Sequence, residues 1–337
     1  MAKKLDVKGI LEKSFGKGSV FGLEDDGVDK NTQWIPTGFY SLDYVFGAGI
    51  PKGKVIEILG REGSGKTTLS LFMIRILQRL KPVLFIDAEH ALDPQYAKYL
   101  GVSLSKDKFL LSQPDDGEMA FDMISKALEL DLGGIIVDSA AALVPKAEMD
   151  GSMGDSQMAA FPKLMAKGLR KISPKAADAG IPVIFTNQVR KVFGVKFGVQ
   201  YDSPGGLAFR HWANIRLMIN KIKTLMVGEE AVANLVKIKA IKNKVAPPFR
   251  TAQFELNFKY GLDTIKDTLN VALEKKIIKV KESKRHEGKQ IVVYDGHNLG
   301  FYDNELRKIN RDKVNIYLDE INNKINGKVA DDGDTFV

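Results

Sequence analysis

Lys54-Val-Ile-Glu-Ile-Leu-Gly-Arg-Glu-Gly-Ser-Gly-Lys-Thr-Thr68 is the stretch on which the fold turns. Val55 to Leu59 is an apolar run interrupted by one glutamate, the pattern of a strand buried on both faces. Gly60-Arg-Glu-Gly-Ser-Gly65-Lys66-Thr67 has the spacing GxxxxGKT, in which glycines let backbone N–H groups close around a phosphate. Thr68-Leu-Ser-Leu-Phe-Met-Ile-Arg-Ile-Leu77 continues as a helix, whose N-terminus faces the same anion. Strand, glycine loop and helix in this order select a phosphate-binding turn over an ordinary glycine-rich bend. Gly60, Arg61, Glu62, Gly63, Ser64, Gly65, Lys66, Thr67 and Thr68 are the candidate nucleotide ligands. Lys66 is placed to neutralise β/γ oxygens, and the Thr67 hydroxyl to hold Mg²⁺.

Working outward, residues 31–262 alternate strand-like runs with helical stretches: Lys54–Leu59, Val83–Ile86, Gly134–Val137, Pro182–Thr186 and Ile215–Ile219. The early runs are continuously apolar with helices between them, which predicts a mostly parallel central sheet. Leu235–Lys239 and Ala252–Leu256 have no helix between them and predict antiparallel additions at one edge. Residues 1–30 read as an N-terminal arm, with Val7, Ile10 and Leu11 at helical spacing before Phe15-Gly-Lys-Gly-Ser19. Such an arm can dock on a neighbouring subunit, pack back or fray. Residues 263–325 change character: a helix through Ile265, Leu269, Ala272 and Leu273, a lysine-rich stretch, a strand pair at Ile291–Tyr294 and Gly300–Tyr302, and a last helix from about 304 to 325. A small α+β C-terminal domain is expected there, and a flexible acidic tail over 326–337.

The 337 residues are 44% hydrophobic, enough for a packed core, which excludes global disorder. Cysteine is absent, so disulfides, thiolate metal sites and cysteine nucleophiles are excluded. No apolar run reaches the roughly 20 residues that cross a bilayer, and the start has no apolar signal stretch. A cytoplasmic protein with no membrane partner is expected. A formal charge of +8 suits a polyanionic partner but does not select one.

Asp138 ends the run Gly133-Gly-Ile-Ile-Val-Asp138, where a carboxylate can support Mg²⁺ beside a phosphate loop. The following Ser139-Ala-Ala-Ala also fits a helix start with Asp138 as its cap. Glu89 ends Phe85-Ile-Asp-Ala-Glu89 and is placed either to polarise an attacking water or to sit on the surface.

The text around these positions is more specific. Phe85-Ile-Asp-Ala-Glu-His-Ala-Leu-Asp-Pro94, Val137-Asp-Ser-Ala-Ala-Ala-Leu143, Thr186-Asn-Gln-Val-Arg190 and Lys242-Asn-Lys-Val-Ala-Pro-Pro-Phe249, with Thr37-Gly-Phe-Tyr-Ser-Leu-Asp43 and Gly205-Gly206, closely resemble the bacterial RecA recombinases. The likeness runs in order from about residue 10 to 262. It implies an α/β fold with a RecA-like ATPase core, ATP and Mg²⁺ as ligands, and a helical homo-oligomer on single-stranded DNA that pairs it with double-stranded DNA.

The resemblance also implies roles, position by position. Glu89 activates water, Asp93 and Tyr96 hold the adenine, and Tyr260 and Gly261 close over the nucleotide. Gln188 senses the γ-phosphate, and Lys242 and Lys244 reach the neighbouring subunit's ATP. Two segments read as DNA loops: Glu148 to Ser156 with Met158, and Val189 to Gly206 with Arg190, Lys191, Phe193, Lys196, Phe197, Gly205 and Gly206. Lys163 and Arg170 match basic family positions on the helix between them. The arm docks on the adjacent protomer.

Departures from the family pattern are His211, where an aromatic interface residue is usual, Pro204 before Gly205, and most of 263–325. His211 fits either a pH-sensitive contact or a neutral packed imidazole. Lys275, Lys276, Lys279, Lys281, Lys284, Arg285 and Lys289 crowd one stretch that reads either as a solvated helix face or, the favoured reading, as a surface gathering duplex DNA. The divergence also fits a phage or mobile-element relative. Two rival functions are a hexameric helicase-like motor on the same core, and a filament that stimulates self-cleavage of a repressor.

Overall fold

The helix α1 (Val7–Phe15) starts where the Asp6 carboxylate accepts the Gly9 N–H at 2.9 Å, and stops at Gly16 with φ 99°. Its apolar Val7, Ile10 and Phe15 are exposed. The structure is a computed structural model that describes residues 6–17, 19–20, 32–151, 159–191, 201–205, 207–303, 306 and 308–331. Residues 1–33 form one compact unit and 34–337 another.

In the larger unit, β1 (Trp34–Ile35) and β2 (Ile50–Pro51) pair across α2 (Tyr40–Phe46). Then follow β3 (Val55–Gly60), α3 (Lys66–Leu77), β4 (Val83–Asp87), α4 (Pro94–Tyr99), β5 (Phe109–Ser112), α5 (Gly117–Ala127), β6 (Gly134–Asp138), α6 (Lys146–Asp150), α7 (Ala160–Ala179) and β7 (Val183–Gln188). A two-stranded ribbon, β8 (Arg190–Lys191) with β9 (Tyr201–Asp202), precedes α8 (Leu207–Trp212). The long hairpin β10 (Ile215–Val227) and β11 (Glu230–Asn243) leads to β12 (Thr251–Asn257) and β13 (Gly261–Leu262). The chain closes with α9 (Thr264–Glu274), β14 (Lys279–Glu282), β15 (Gln290–Tyr294), β16 (His297–Phe301) and α10 (Arg311–Asp331).

Among the described residues the main sheet has nine strands in the order β13-β12-β11-β10-β3-β7-β6-β4-β5. Every pairing from β10 to β5 is parallel, while β11, β12 and β13 add on antiparallel. The expected mostly parallel α/β sheet with an antiparallel edge is present. β3, β6 and β7 are buried on both faces because helices cover each side: α2, α3 and α4 one, α5, α7 and α8 the other. Phe185 is fully buried between Phe121 and Phe209, each such ring contributing about 1.5–3 kcal/mol through burial.

The last segment has its own apolar cluster, with Leu269, Tyr294, Leu299, Val314 and Ile321 at its centre. Polar bonds fasten it to the N-terminal turn of α2. Tyr40 donates to Asn322 at 3.1 Å, and the Ser41 N–H and hydroxyl both donate to Asp267.

Four local expectations are corrected. β10 continues well past Ile219 and β11 begins well before Leu235, the two pairing as far as Val227 with Glu230; the outer part of β10 is largely exposed and carries no apolar alternation. β14 forms inside the lysine-rich stretch, with only Val280 half-buried to mark it. The last helix begins at Arg311 instead of about 304, since Leu306 takes a left-handed φ of 50° and Ile309 bridges to Gly300, both ahead of the helix. It also runs on to Asp331, so the first part of the stretch expected as a flexible tail is helical; 332–337 lie outside the described residues.

Candidate nucleotide and DNA site

β3 ends at Gly60 and α3 begins at Lys66, with Gly63 at φ 67° and Gly65 at φ 94° turning the chain between them. The α3 N-terminus has no side-chain cap and no acidic residue in its first turn, so its leading N–H groups point out of the loop unneutralised. Gly60 is held by packing, since a Cβ there would lie 2.5 Å from the Ile219 carbonyl. At Gly65 a Cβ would lie 2.3 Å from Leu256 Cδ1, the movable end of a side chain, and it is the φ of 94° that calls for glycine. A Cβ at Gly63 would meet nothing within 4 Å.

Lys66 Nζ donates to the Gly60 and Arg61 carbonyls at 3.2 and 3.1 Å, which folds the side chain over its own loop. Burial pushes its pKa down, against the pull of Asp138, Glu89 and Glu62. The buried Ser64 hydroxyl has no hydrogen-bond partner among the described residues. Free helix amides, an orphaned hydroxyl, an open glycine and a lysine bonded to loop carbonyls fit a polyphosphate.

Asp138 is buried at the C-terminal end of β6, beside Asp87 of β4. Burial raises its pKa; hydrogen bonds from Thr186 and Thr67 and the charge of Lys66 oppose that rise. Its carboxylate is directed at the phosphate loop and does not cap a helix; Ala140–Ala142 form only a 3₁₀ turn. One carboxylate and the Thr67 hydroxyl suit Mg²⁺, which keeps several waters and takes its other ligands from the substrate. The Asp138–Ser139 peptide is cis. Ser139 donates its hydroxyl proton to exposed Glu89, and the Ala88 and Glu89 N–H groups bond the Asp138 carbonyl at 2.9 and 3.3 Å. Glu89 and Asp138 thus share one corner. Asp87, buried at 2% exposure, is a supporting residue the sequence reading missed: it accepts from the Ala91 and Leu92 N–H groups and Gln113, shaping the loop that carries Glu89.

Asp93 caps α4 by accepting the Gln95 and Tyr96 N–H groups. The cap orients Tyr96, whose hydroxyl lies 2.8 Å from Thr68 Oγ1. Gly261, at φ 73°, approaches so closely that a Cβ would lie 2.8 Å from Leu100 and 4.0 Å from Thr68. Tyr260 beside it is half exposed. The structure therefore brings Tyr96, Thr68 and the Tyr260-Gly261 turn to one side of α3.

Gln188 is the register partner of Gly60, at the mouth of the loop. Lys242, near the end of β11, and Lys244, just beyond it, lie at the opposite end of the sheet's strands from the loop. Lys242 Nζ donates to the Arg210 carbonyl at 2.5 Å and the His211 carbonyl at 3.2 Å, and Lys244 Nζ to the His211 carbonyl at 3.2 Å. Within this subunit the pair is not part of the phosphate loop's own ligand set. His211 is exposed and shares a surface cleft with Lys54, Arg170, Trp212 and Lys244.

Met158, Phe193, Lys196, Phe197 and Gly206 lie outside the described residues, as does most of the first loop. Arg190 and Lys191 form β8, so the second loop rises from a paired stem. Gly205, at φ 81°, is buried against Met165 and Phe161 of α7. Lys163 and Arg170 are exposed on α7, with Lys167 between them on the same face. Spacing alone could have revealed Lys167. Lys171 and Lys175 instead pair with Asp122 and Glu129 of the α5 region, while 163, 167 and 170 have no carboxylate partner among the described residues.

Comparison with known proteins agrees with this geometry. The family model "RecA N-terminal domain" matches residues 3–263. Protein RecA of Frankia alni is 43% identical over 325 residues, covering 95% of this chain and 90% of that protein. Protein RecA of Bifidobacterium breve is 42% identical, covering 94% of this chain and 78% of that protein. Protein RecA of Thermotoga petrophila is 42% identical over 278 residues, 81% of this chain and 77% of that protein.

Proposed function

The chain belongs to the bacterial RecA family and acts in ATP-dependent recombination and repair of DNA, and from that premise we propose how its own residues carry the reaction. The family binds ATP and Mg²⁺ through the phosphate loop, binds single- and double-stranded DNA, and self-associates. The observation that carries the proposal is the corner where the uncapped start of α3, Lys66, Thr67, Asp138 and Glu89 converge.

Residues Gly60 to Thr68 bind the triphosphate, and Lys66 exchanges its loop carbonyls for phosphate oxygens. Thr67 and Asp138 hold Mg²⁺, which supplies charge neutralisation at the β- and γ-oxygens when bound. Glu89, oriented by Ser139, holds a water and accepts its proton. Tyr96 and Asp93 receive the base, with Tyr260 and Gly261 closing over it. Gln188 meets the γ-phosphate end, and Lys242 and Lys244 place two cations on the nucleotide of the adjoining subunit. The α7 stripe of Lys163, Lys167 and Arg170 tracks the DNA backbone, joined by the two loops. The 1–30 arm docks on the next protomer. The C-terminal segment gathers duplex DNA: Lys276, Lys279, Lys281 and Lys324 line one cleft there. The family likeness extends the proposal to repressor self-cleavage on the same filament, read by adding a repressor and following its cut products.

The test is strand exchange with ATP, homologous single strand and duplex, using Lys66→Ala as control, together with electron microscopy. Helical filaments and exchanged strands support the reading. Closed hexamers without exchange favour a motor instead.

A further inference from the structure

A buried polar row of Arg216, Glu57 and Asn187 crosses three adjacent strands, β10, β3 and β7, and none of the ligand roles above uses it. It lies on the sheet face covered by α8. Arg216 of β10 is the register partner of Glu57 of β3 on one side and of Lys242 of β11 on the other. Asn187 of β7 stands opposite Leu59, two residues beyond Glu57 and so on the same face. Glu57 is 0% exposed, Asn187 0% and Arg216 7%.

The row is internally satisfied. Arg216 Nε donates to Glu57 Oε2 at 2.5 Å, and Asn187 Nδ2 donates to Glu57 Oε1 at 2.8 Å. Two bonds leave the sheet, and both go to the same place. Arg216 Nη2 donates to Ser203 Oγ at 3.2 Å, and Asn187 Nδ2 donates to the Pro204 carbonyl at 3.0 Å. Ser203 and Pro204 follow directly on β9 and precede Gly205, at the foot of the second loop. On the sheet side, Asn187 adjoins Gln188, the register partner of Gly60.

A buried ion pair gives little net stability, because desolvation offsets its attraction; what it supplies is bonds of fixed direction. Here those bonds join the foot of the loop to the strand that carries the phosphate loop and to the strand that ends in Gln188. We infer that Glu57 and Arg216 are positioning residues that couple the nucleotide site to the second loop, so that nucleotide state sets the grip on single-stranded DNA through this buried pair. The inference rests on the assignment of residues 60–67 to nucleotide and of 190–206 to DNA.

The coupling is the ratio of single-strand dissociation constants measured with ADP and with a non-hydrolysable ATP analogue, read by fluorescence anisotropy on the full chain. Two variants test it. Glu57→Leu with Arg216→Met replaces the pair by apolar side chains of similar size, a change that buried pairs commonly tolerate. Ser203→Ala removes one of the two bonds to the loop, leaving the Asn187–Pro204 bond in place, and serves where the double variant is misfolded by thermal melt. The double variant is expected to shrink the ratio at least about fivefold, with DNA-free hydrolysis staying within roughly twofold of wild type. Ser203→Ala is expected to shrink it about threefold, the worth of one hydrogen bond. A wild-type ratio kept by the folded variants overturns the inference alone. A wild-type protein whose DNA affinity ignores the nucleotide overturns the functional reading and this inference with it.

Discussion

Lys242 Nζ donates to the Arg210 carbonyl oxygen at 2.5 Å, so a cation from the end of β11 closes the C-terminal turn of α8. Helix C-termini leave carbonyls without intrahelical partners and attract positive charge, and Lys244 adds a second cation at His211. Burial, then repulsion from Lys244 and Arg216, push the Lys242 pKa down to about 8. A lysine so shifted is charged at pH 7 and loses its proton as the pH rises through about 8. The cooperativity of ATP-driven assembly should therefore fall between pH 7 and 9, and Lys242→Arg should flatten the profile. Light scattering against pH checks this; a level wild-type curve counts against it.

Asp43 and Asp267 give a second pH dependence, this time of stability. Asp43 accepts from the Thr37 N–H at 3.0 Å and its hydroxyl at 2.7 Å, and Asp267 accepts from Ser41. Burial pushes each carboxyl up to about 6 despite those bonds. A carboxyl whose folded pKa exceeds its unfolded value adds stability below the unfolded value and loses it as pH rises through the folded one. Melting temperature should rise as pH is lowered from 7 to about 4.5, with each group contributing about 1–3 kcal/mol across the window. Asp43→Asn and Asp267→Asn should each remove part of the slope in calorimetry.

On α7, Lys163→Ala, Lys167→Ala and Arg170→Ala should each lower the magnitude of the salt slope of single-strand binding by about 0.7. Lys171→Ala, whose side chain is paired with Asp122, should leave that slope unchanged. Anisotropy titrations from 50 to 300 mM salt, roughly the range in which counterion release is resolved, separate the two sets.

Lys66→Ala removes a partly buried cation whose hydrogen bonds, among the described residues, go to its own loop. Turnover should fall by about 10²–10³-fold, the usual loss for one transition-state donor. The melting temperature should not fall, because the desolvation of the ammonium is removed with it. A marked drop in stability would show the loop to be misread as a binding element.

The phosphate loop was legible because its determinants are local: glycines, a lysine and a hydroxyl within one strand–turn–helix unit. The parallel sheet was legible for a related reason, since strands buried on both faces write continuous apolar runs. The Glu57–Arg216 pair was not. The two residues are 159 positions apart, and in a linear reading each is a charge interrupting a strand. Only the register of β3 against β10 places them face to face. Asp87 escaped notice for the same reason, its work being to hold backbone N–H groups that pattern does not reveal. The outer half of β10 carries polar residues on both faces, Asn220 on one and Lys221 on the other, and leaves no period to detect.

Gly60 and Gly65 meet a neighbouring strand before they meet any ligand, whereas Gly63 faces open space. A saturation library scored only for soluble, folded protein should already reject side chains at the first two positions. At Gly63 the left-handed φ would still disfavour substitution, but no neighbour would forbid it, and asparagine should pass such a screen. Selecting the same library for recombination would add Lys66, Thr67 and Gly63 to the intolerant set. Both glycines of the GxxxxGKT signature thus report on architecture, whereas Gly63, at one of its variable positions, does not, and a relative that had abandoned ATP would be expected to keep the first two.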